Sequence, residues 1–208
     1  ILDRINDLIR IELLPDFLIK TATGKAEIDR VIRDCDDAFP NPVAERSIYL
    51  KLLDKIAENG NCVYAYHKAE DALGYCAFYA NDPEQGNAFI SLLAVRQEYQ
   101  HMHIGADLLK SAFERMVSCG MEHCFLEVRK DNEAAKCFYE KMGFEKAEEH
   151  GDKYLMRRDL ANTDWNRKFV GGNSTPSEVV PTRTACELCR GSSVTESATI
   201  QEKKEDVS

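Results

Sequence analysis

Two stretches of the chain hold residue types whose order suits acid–base chemistry beside a bound anion. In the first, Leu92-Leu93-Ala94-Val95 runs through Arg96-Gln97-Glu98-Tyr99-Gln100-His101-Met102-His103 into the helix-patterned Ile104-Gly105-Ala106. Strand alternation fails at Leu92 to Val95, which invites a bulge that leaves backbone N–H and C=O groups without a neighbour strand. The N–H groups at the following helix start, helped by the helix dipole, suit an anion, and small Gly105 and Ala106 let a phosphate approach. A small residue at a helix start also serves packing. In the second stretch, alternation separates Phe125, Glu127 and Arg129 from Cys124, Leu126 and Val128. A carboxylate within so apolar a strand is expected to have its charged form disfavoured, which raises its pKa toward the range of a general base. The other reading of Glu127 is a solvent-facing or salt-bridged strand residue. Tyr139 follows Asn132 by seven residues on one helix face, as a proton donor or as a core aromatic.

The elements that must position these residues alternate along the chain. Residues 2–13 read as an amphipathic helix and Phe17 to Thr21 as a short strand. Helices are expected over Ala26 to Phe39, stopped by Pro40-Asn41-Pro42, and over Ser47 to Asn59, stopped by Gly60. Strands Cys62 to His67, Leu73 to Tyr79 and Ala88 to Val95 form a meander through polar turns. A long helix over Ile104 to Val117 carries the stripe Ile104, Leu108, Ala112 and Met116. Strand Cys124 to Arg129, helix Asn132 to Met142, strand Phe144 to Ala147 and strand Lys153 to Arg158 complete the series. The fold class is therefore α/β (α+β), with a single mixed, mostly antiparallel central sheet that has a bulged strand and flanking helices. The expected organisation is an N-terminal helix over 1–15, a domain over 16–160 and a disordered tail over 161–208, where 12 of 48 residues are Ser or Thr and only Trp165 and Phe169 are aromatic.

Composition narrows the functions. The 208 residues carry 36 acidic and 27 basic side chains, a formal net charge of −9. Clustered Lys and Arg for nucleic acid are lacking, so no nucleic-acid partner is expected. No run is long and apolar enough for a membrane span, and the charged opening ILDRINDLIR is unlike a secretory signal, so a cytoplasmic location is expected. Cys35, Cys62, Cys76, Cys119, Cys124 and Cys137 read as buried small hydrophobes, consistent with a reducing compartment. Cys186 and Cys189 form a lone C-x-x-C without the further ligands of a zinc site, so no metal is expected. The tail holds 7 acidic and 6 basic residues, a charge of −1, which leaves −8 to residues before it.

Together the two stretches resemble the acetyl-CoA motifs of the Gcn5-related N-acetyltransferase (GNAT) superfamily. Val95, Tyr99, Gln100, Gly105, Leu108 and Leu109 match its V-x-P-x-[YF]-[QR]-x-x-G-x-[GA]-x-x-L-L segment. Leu126, Glu127, Val128, Arg129, Asn132, Ala135, Tyr139, Gly143 and Phe144 are similar to the L-E-V-R-x-x-N-x-x-A-x-x-x-Y-x-x-x-G-F segment of the ribosomal-protein N-terminal alanine acetyltransferases. The resemblance implies the acyl-CoA N-acyltransferase fold and an N-acetyltransferase that uses acetyl-CoA as co-substrate, with direct attack by an amine on the thioester. It implies that Leu93, Ala94 and Val95 pair with the pantetheine arm, and that His101, Met102, His103, Ile104, Gly105 and Ala106 hold the pyrophosphate with Gln100 beside them. It further implies that Asn132 touches the pantetheine, that Tyr139 protonates the departing thiolate and that Glu127 is the general base. The partners expected are acetyl-CoA and a primary amine acceptor (a small amine, an amino sugar or a protein N-terminus), with homodimerisation open and no membrane.

Two positions depart from the pattern. His103 stands at the first glycine of the pyrophosphate turn, where its Cβ crowds the phosphate or its imidazole donates to it. Gln97 replaces the usual proline. The glycine loss motivates an alternative function, a non-catalytic acyl-CoA-binding sensor or partner module. Retention of Glu127 and Tyr139 argues for the enzyme. Acidic runs such as Asp34-Cys35-Asp36-Asp37 and Asn81-Asp82-Pro83-Glu84 would steer a cation or are simply solvated.

Overall fold

In the computed structural model the described residues are 17–67 and 71–161. The helix expected over 2–13, the tail after 161 and its Cys186/Cys189 pair lie outside them. The elements are β1 (Leu18–Thr21), α1 (Lys25–Asp34), α2 (Tyr49–Asn59), β2 (Asn61–Tyr66), β3 (Ala72–Asp82), β4 (Asn87–Val95), α3 (Ile104–Ser118), β5 (His123–Arg129), α4 (Glu133–Lys141), β6 (Glu145–His150) and β7 (Lys153–Asp159). They build one seven-stranded sheet in the order β1-β2-β3-β4-β5-β7-β6. Every pair is antiparallel except β4 with β5, whose parallel pairing follows from the long crossover through α3. This is the mixed, mostly antiparallel sheet expected from the sequence.

Two apolar clusters cover the two faces. Leu108, Leu109, Ala112, Phe113 and Met116 of α3 pack with Cys76, Phe78, Leu126 and Val128 of the sheet on one face. Ile28, Val31 and Ile32 of α1 and Leu53 and Ile56 of α2 pack with Cys62, Tyr64, Tyr75 and Ala77 on the other. Each such aliphatic side chain, fully buried, contributes roughly 1.5–3 kcal/mol relative to exposure. Because both faces are covered, the middle strands lose the polar half of their alternation. Cys35, Cys62, Cys76 and Cys124 are buried as expected, whereas Cys119 is half-buried and Cys137 is exposed on α4.

The helix expected through Phe39 ends earlier, at Asp34, and Asp36–Ala38 form a 3-10 turn. The side chain of Asp36 is the reason. Its carboxylate accepts the N–H groups of Val43 at 2.8 Å and Ala44 at 3.1 Å, which draws the chain through the Pro40-Asn41-Pro42 corner.

Candidate active site

The sheet forks between β4 and β5. Their pairing begins at Asn87 opposite His123 and stops at Ile90 opposite Leu126. At that point β4 also changes register against β3: Ala77 faces Leu92 and Phe78 faces Ile90, so Ser91 is the extra residue of a bulge. The bulge thus lies just before the stretch in which the sequence pointed to it. One residue of slippage reverses the faces: Ala88 and Ile90 join the α3 cluster, Leu92 and Ala94 the α1/α2 cluster, and Leu93 and Val95 pack on the α3 side. The N–H of Arg96 donates to Leu73 at 2.9 Å. Strand alternation therefore turns the backbone groups of Leu93 and Val95 into the gap that β5 has left, and those of Ala94 toward β3. The Val95 carbonyl already accepts the Gln100 Nε2–H at 3.1 Å.

Beyond the fork the backbone forms a concavity lined by N–H groups. His101 at φ 65° and His103 at φ 62° are the non-glycine residues with positive φ among the described residues, with Met102 of ordinary sign between them. Such alternation turns successive N–H groups inward as a nest. The N–H groups of His101, Met102, His103, Ile104 and Gly105 have no hydrogen-bond acceptor among the described residues, and the first carbonyl used by α3 is that of His103, which accepts from Ala106 and Asp107. Each left-handed histidine costs about 1–2 kcal/mol. His103 thus adopts the conformation for which glycine is the cheaper residue, and its exposed side chain stands at the rim. Gly105 is less constrained: a Cβ there would meet Phe138 Cζ at 3.5 Å and Val95 Cγ2 at 3.6 Å, both ordinary contacts.

Helix α4 lies along the α3 side of the fork. Asn132 is its N-cap, with Oδ1 accepting the Ala135 N–H at 3.1 Å, so the carbonyl oxygen is engaged and the amide NH2 is the group that remains outward. At the other end the N–H of Phe144 donates to the Tyr139 carbonyl and that of Gly143 to Glu140, a closure that needs the left-handed Gly143 at φ 83°. Tyr139 packs edge-on against Phe138 and Phe144, with ring centroids at 5.4 Å and 5.7 Å. Burial pushes its phenol well above the ordinary value, so it is protonated at neutral pH, and its hydroxyl has no hydrogen-bond partner among the described residues.

Glu127 follows Leu126, the last residue of β5 that pairs with β4, and differs from the expectation of a raised pKa. Burial pushes its carboxyl up, but the Lys153 ammonium at 2.9 Å and the His150 ring at 3.5 Å outweigh that and hold it below its ordinary value. The physical reason is the alternation itself: Leu126 and Val128 take the buried side of β5 and leave Glu127 on the open one. His150 also touches Glu148 at 3.0 Å, and its two carboxylate neighbours raise its pKa, Glu148 more than Glu127. Lys153 and His150 were missed in the sequence. The Gly151-Asp152 turn between two polar strands signals their hairpin, but only the β5–β7 register sets them beside Glu127.

The acidic run before Pro40 is engaged internally. Asp34 pairs with Arg30 at 3.0 Å, Asp36 holds Val43 and Ala44, and Asp37 accepts the Gln97 N–H at 3.1 Å. Asp82 accepts the Gln85 N–H at 3.2 Å in the β3–β4 turn. Among the described residues no three His, Cys, Asp or Glu side chains are grouped to hold a metal ion, and no helix is long and apolar enough to cross a membrane.

Comparison with known proteins places this architecture. N-alpha-acetyltransferase 30 of Schizosaccharomyces pombe is 38% identical over 85 residues, 41% of this chain and 53% of that protein. Mycothiol acetyltransferase of Corynebacterium aurimucosum is 34% identical over 87 residues, 40% of this chain and 28% of that protein. The chain thus spans about half the length of the first of these relatives and less of the second. The PaiA N-acetyltransferase of Thermoplasma acidophilum, solved with coenzyme A, shares the fold with a TM-score of 0.58 at 21% identity, over 68% of this chain and 99% of that one. Residues 28–144, more than half of the 208, match the Acetyltransferase (GNAT) family, and they run from α1 through the bulge, the nest and the Asn132 cap to Phe144. With the forked sheet and both motifs lying inside that span, the chain belongs to the GNAT family of acetyltransferases.

Proposed function

We propose that the protein is an N-acetyltransferase that moves an acetyl group from acetyl-CoA to a primary amine (a small amine, an amino sugar or a protein N-terminus) by direct attack. The fork carries this reading. Its wall presents the backbone groups of Leu93 and Val95, and its end meets the unpaired N–H groups of His101 to Gly105. An amide-bearing arm adds to such a wall as a strand would, and a pyrophosphate suits such a nest. Backbone donors and a helix dipole also explain how a chain of net charge −9 takes an anionic substrate without a basic patch. The coenzyme A bound to the Thermoplasma protein and the relatives' shared name of acetyltransferase support the donor. Those two relatives' names differ in acceptor, so the acceptor is left at the level of a primary amine.

In this reading Leu93 and Val95 bind the arm on either side of Ala94, and Gln100 yields the Val95 carbonyl to it. Met102, Ile104 and Ala106 line the pyrophosphate with His101, His103 and Gly105. The Asn132 amide faces the arm. Tyr139, protonated by virtue of its burial, gives its proton to the departing thiolate. Glu127, ionised throughout the neutral range, holds the acceptor ammonium and takes its proton directly or through water.

A second reading, the non-catalytic acyl-CoA-binding module, is favoured by one observation, the left-handed His103 where a glycine is usual. Incubation with acetyl-CoA and a panel of amines and peptides, with release of thiol followed, separates the two. Turnover of at least one amine is expected; tight acetyl-CoA binding with no turnover of any would establish the module instead.

A further inference from the structure

We infer that Lys153 is a self-acetylation site, its ε-amine serving as an internal acceptor beside Glu127, the first residue of β5 past the fork. The inference rests on the acetyl-transfer reading above. Lys153 lies opposite Arg129 in the β5–β7 register, yet its side chain leans back two residues and sets Nζ 2.9 Å from Oε2 of Glu127. That is the reach of a nucleophile to its base, and Glu127 is the first residue of β5 past the point where β4 departs. On the other carboxylate oxygen His150 approaches to 3.5 Å, itself held by Glu148 at 3.0 Å, so the carboxylate is fixed from both sides. Lys153 is 45% exposed, which leaves the amine free to swing out of the ion pair. Lys130, Lys136 and Lys110 pair instead with carboxylates on β6, α4 and α3, away from β5.

The step balances without a further reagent. Glu127 takes a proton from the Lys153 ammonium, and the neutral Nζ attacks the thioester carbon. The new C–N bond forms as the C–S bond breaks, the departing sulfur takes the Tyr139 proton, and Tyr139 is reprotonated by the second proton lost from nitrogen. An ammonium and acetyl-CoA thus give an acetamide, a thiol and one proton. The acetylated side chain carries no charge, so Glu127 loses its nearest cation and is left for an external amine.

The test needs no knowledge of the natural acceptor. The full chain is incubated with acetyl-CoA alone, and its tryptic peptides are followed by mass spectrometry while acetyl-CoA binding is measured by calorimetry. Acetylation of Lys153 is expected at about 10²-fold the rate of the same residue in the urea-unfolded chain, the scale of general-base assistance. Its rate constant is expected to be independent of chain concentration, and Glu127→Gln to return it to the unfolded-chain level. Lys153→Arg is expected to remove the acetylated peptide. If the protein binds acetyl-CoA and turns over an amine of the panel, but Lys153 reacts no faster than in urea or in proportion to chain concentration, self-acetylation is overturned and acetyl transfer stands. If acetyl-CoA does not bind at all, both fall.

Discussion

The carboxylate of Asp37 accepts the backbone N–H of Gln97 at 3.1 Å, a contact between residues sixty apart in the chain. Gln97 stands where the resembled motif has proline, a residue with no N–H to donate. Its N–H heads the 3-10 turn Gln97–Tyr99 that leads into the nest. Asp37 therefore holds, from the α1 side of the molecule, the turn that leads to the unpaired N–H groups of His101 to Gly105. Asp37→Ala is expected to weaken acetyl-CoA binding about threefold to tenfold, the net worth of one hydrogen bond. Gln97→Pro introduced into that variant is expected to restore affinity, since proline suits the first position of such a turn and leaves no donor unpaired. Calorimetry on the two variants checks this, and an equal loss in both would separate the contact from cofactor binding.

Gly105 and His103 test the nest itself. The Cβ of Gly105→Ala meets only ordinary contacts with Phe138 and Val95, so urea unfolding is expected to show stability unchanged or higher by up to about 1 kcal/mol, as for glycine to alanine in a helix. If the pyrophosphate docks at this helix start as proposed, acetyl-CoA affinity is expected to fall at least about fivefold, roughly one lost hydrogen bond, because the methyl crowds it. His103→Gly relieves about 1–2 kcal/mol of backbone strain and removes an imidazole donor. A severalfold loss of affinity is expected, and unchanged affinity would remove His103 from the phosphate contact.

Tyr139→Phe keeps both edge-on ring contacts and removes only the hydroxyl. A proton donor of this kind is worth about 10²-fold or more in rate. The variant is therefore expected to lose that much in kcat while its acetyl-CoA dissociation constant stays within about twofold. Steady-state kinetics with calorimetry decides the matter, and a kcat equal to that of the unaltered protein would take Tyr139 out of the acid role.

The pH dependence follows from Glu127 and the groups that face it, Lys153, His150 and, behind His150, Glu148. The folded-state pKa of Glu127 is depressed, so its contribution to stability is present above about 4.3, its unfolded value, and fades as pH falls through the folded one. That of His150 is raised, so its contribution is complete below about 6.5 and fades as pH rises through the folded value. The β6–β7 hairpin is accordingly expected to be held most firmly to β5 between roughly pH 4.3 and 6.5, as slowed amide exchange corrected for intrinsic rate. Since Glu127 is already ionised near pH 7, the acid limb of kcat/KM is expected to follow the pKa of whichever amine is supplied. A limb that stays put across amines of different basicity would assign it to a group of the protein.

Much of this molecule was legible locally. The stripe on α3, the cap residue Asn132, the Gly143-Phe144 closure and the loss of alternation at Leu92-Leu93 are properties of short windows, where 3.6- and 2-residue periods and turn chemistry act between near neighbours. Those windows also carry the family motifs, so fold class and family were readable from residue order. The position of the bulge was less so, because Ser91 is displaced by the fit of β4 against β3 rather than by its own preference.

By itself the sequence determined the order of elements, the mixed sheet and the family, since each depends on patterns within one element or its turn. Only the tertiary structure decided the charge state of Glu127, the capping of Gln97 by Asp37 and the left-handed backbone at His101 and His103. The first two depend on strand register and on contacts between residues 23 to 60 positions apart, and hydrogen bonds at such separations leave no period in the chain to read.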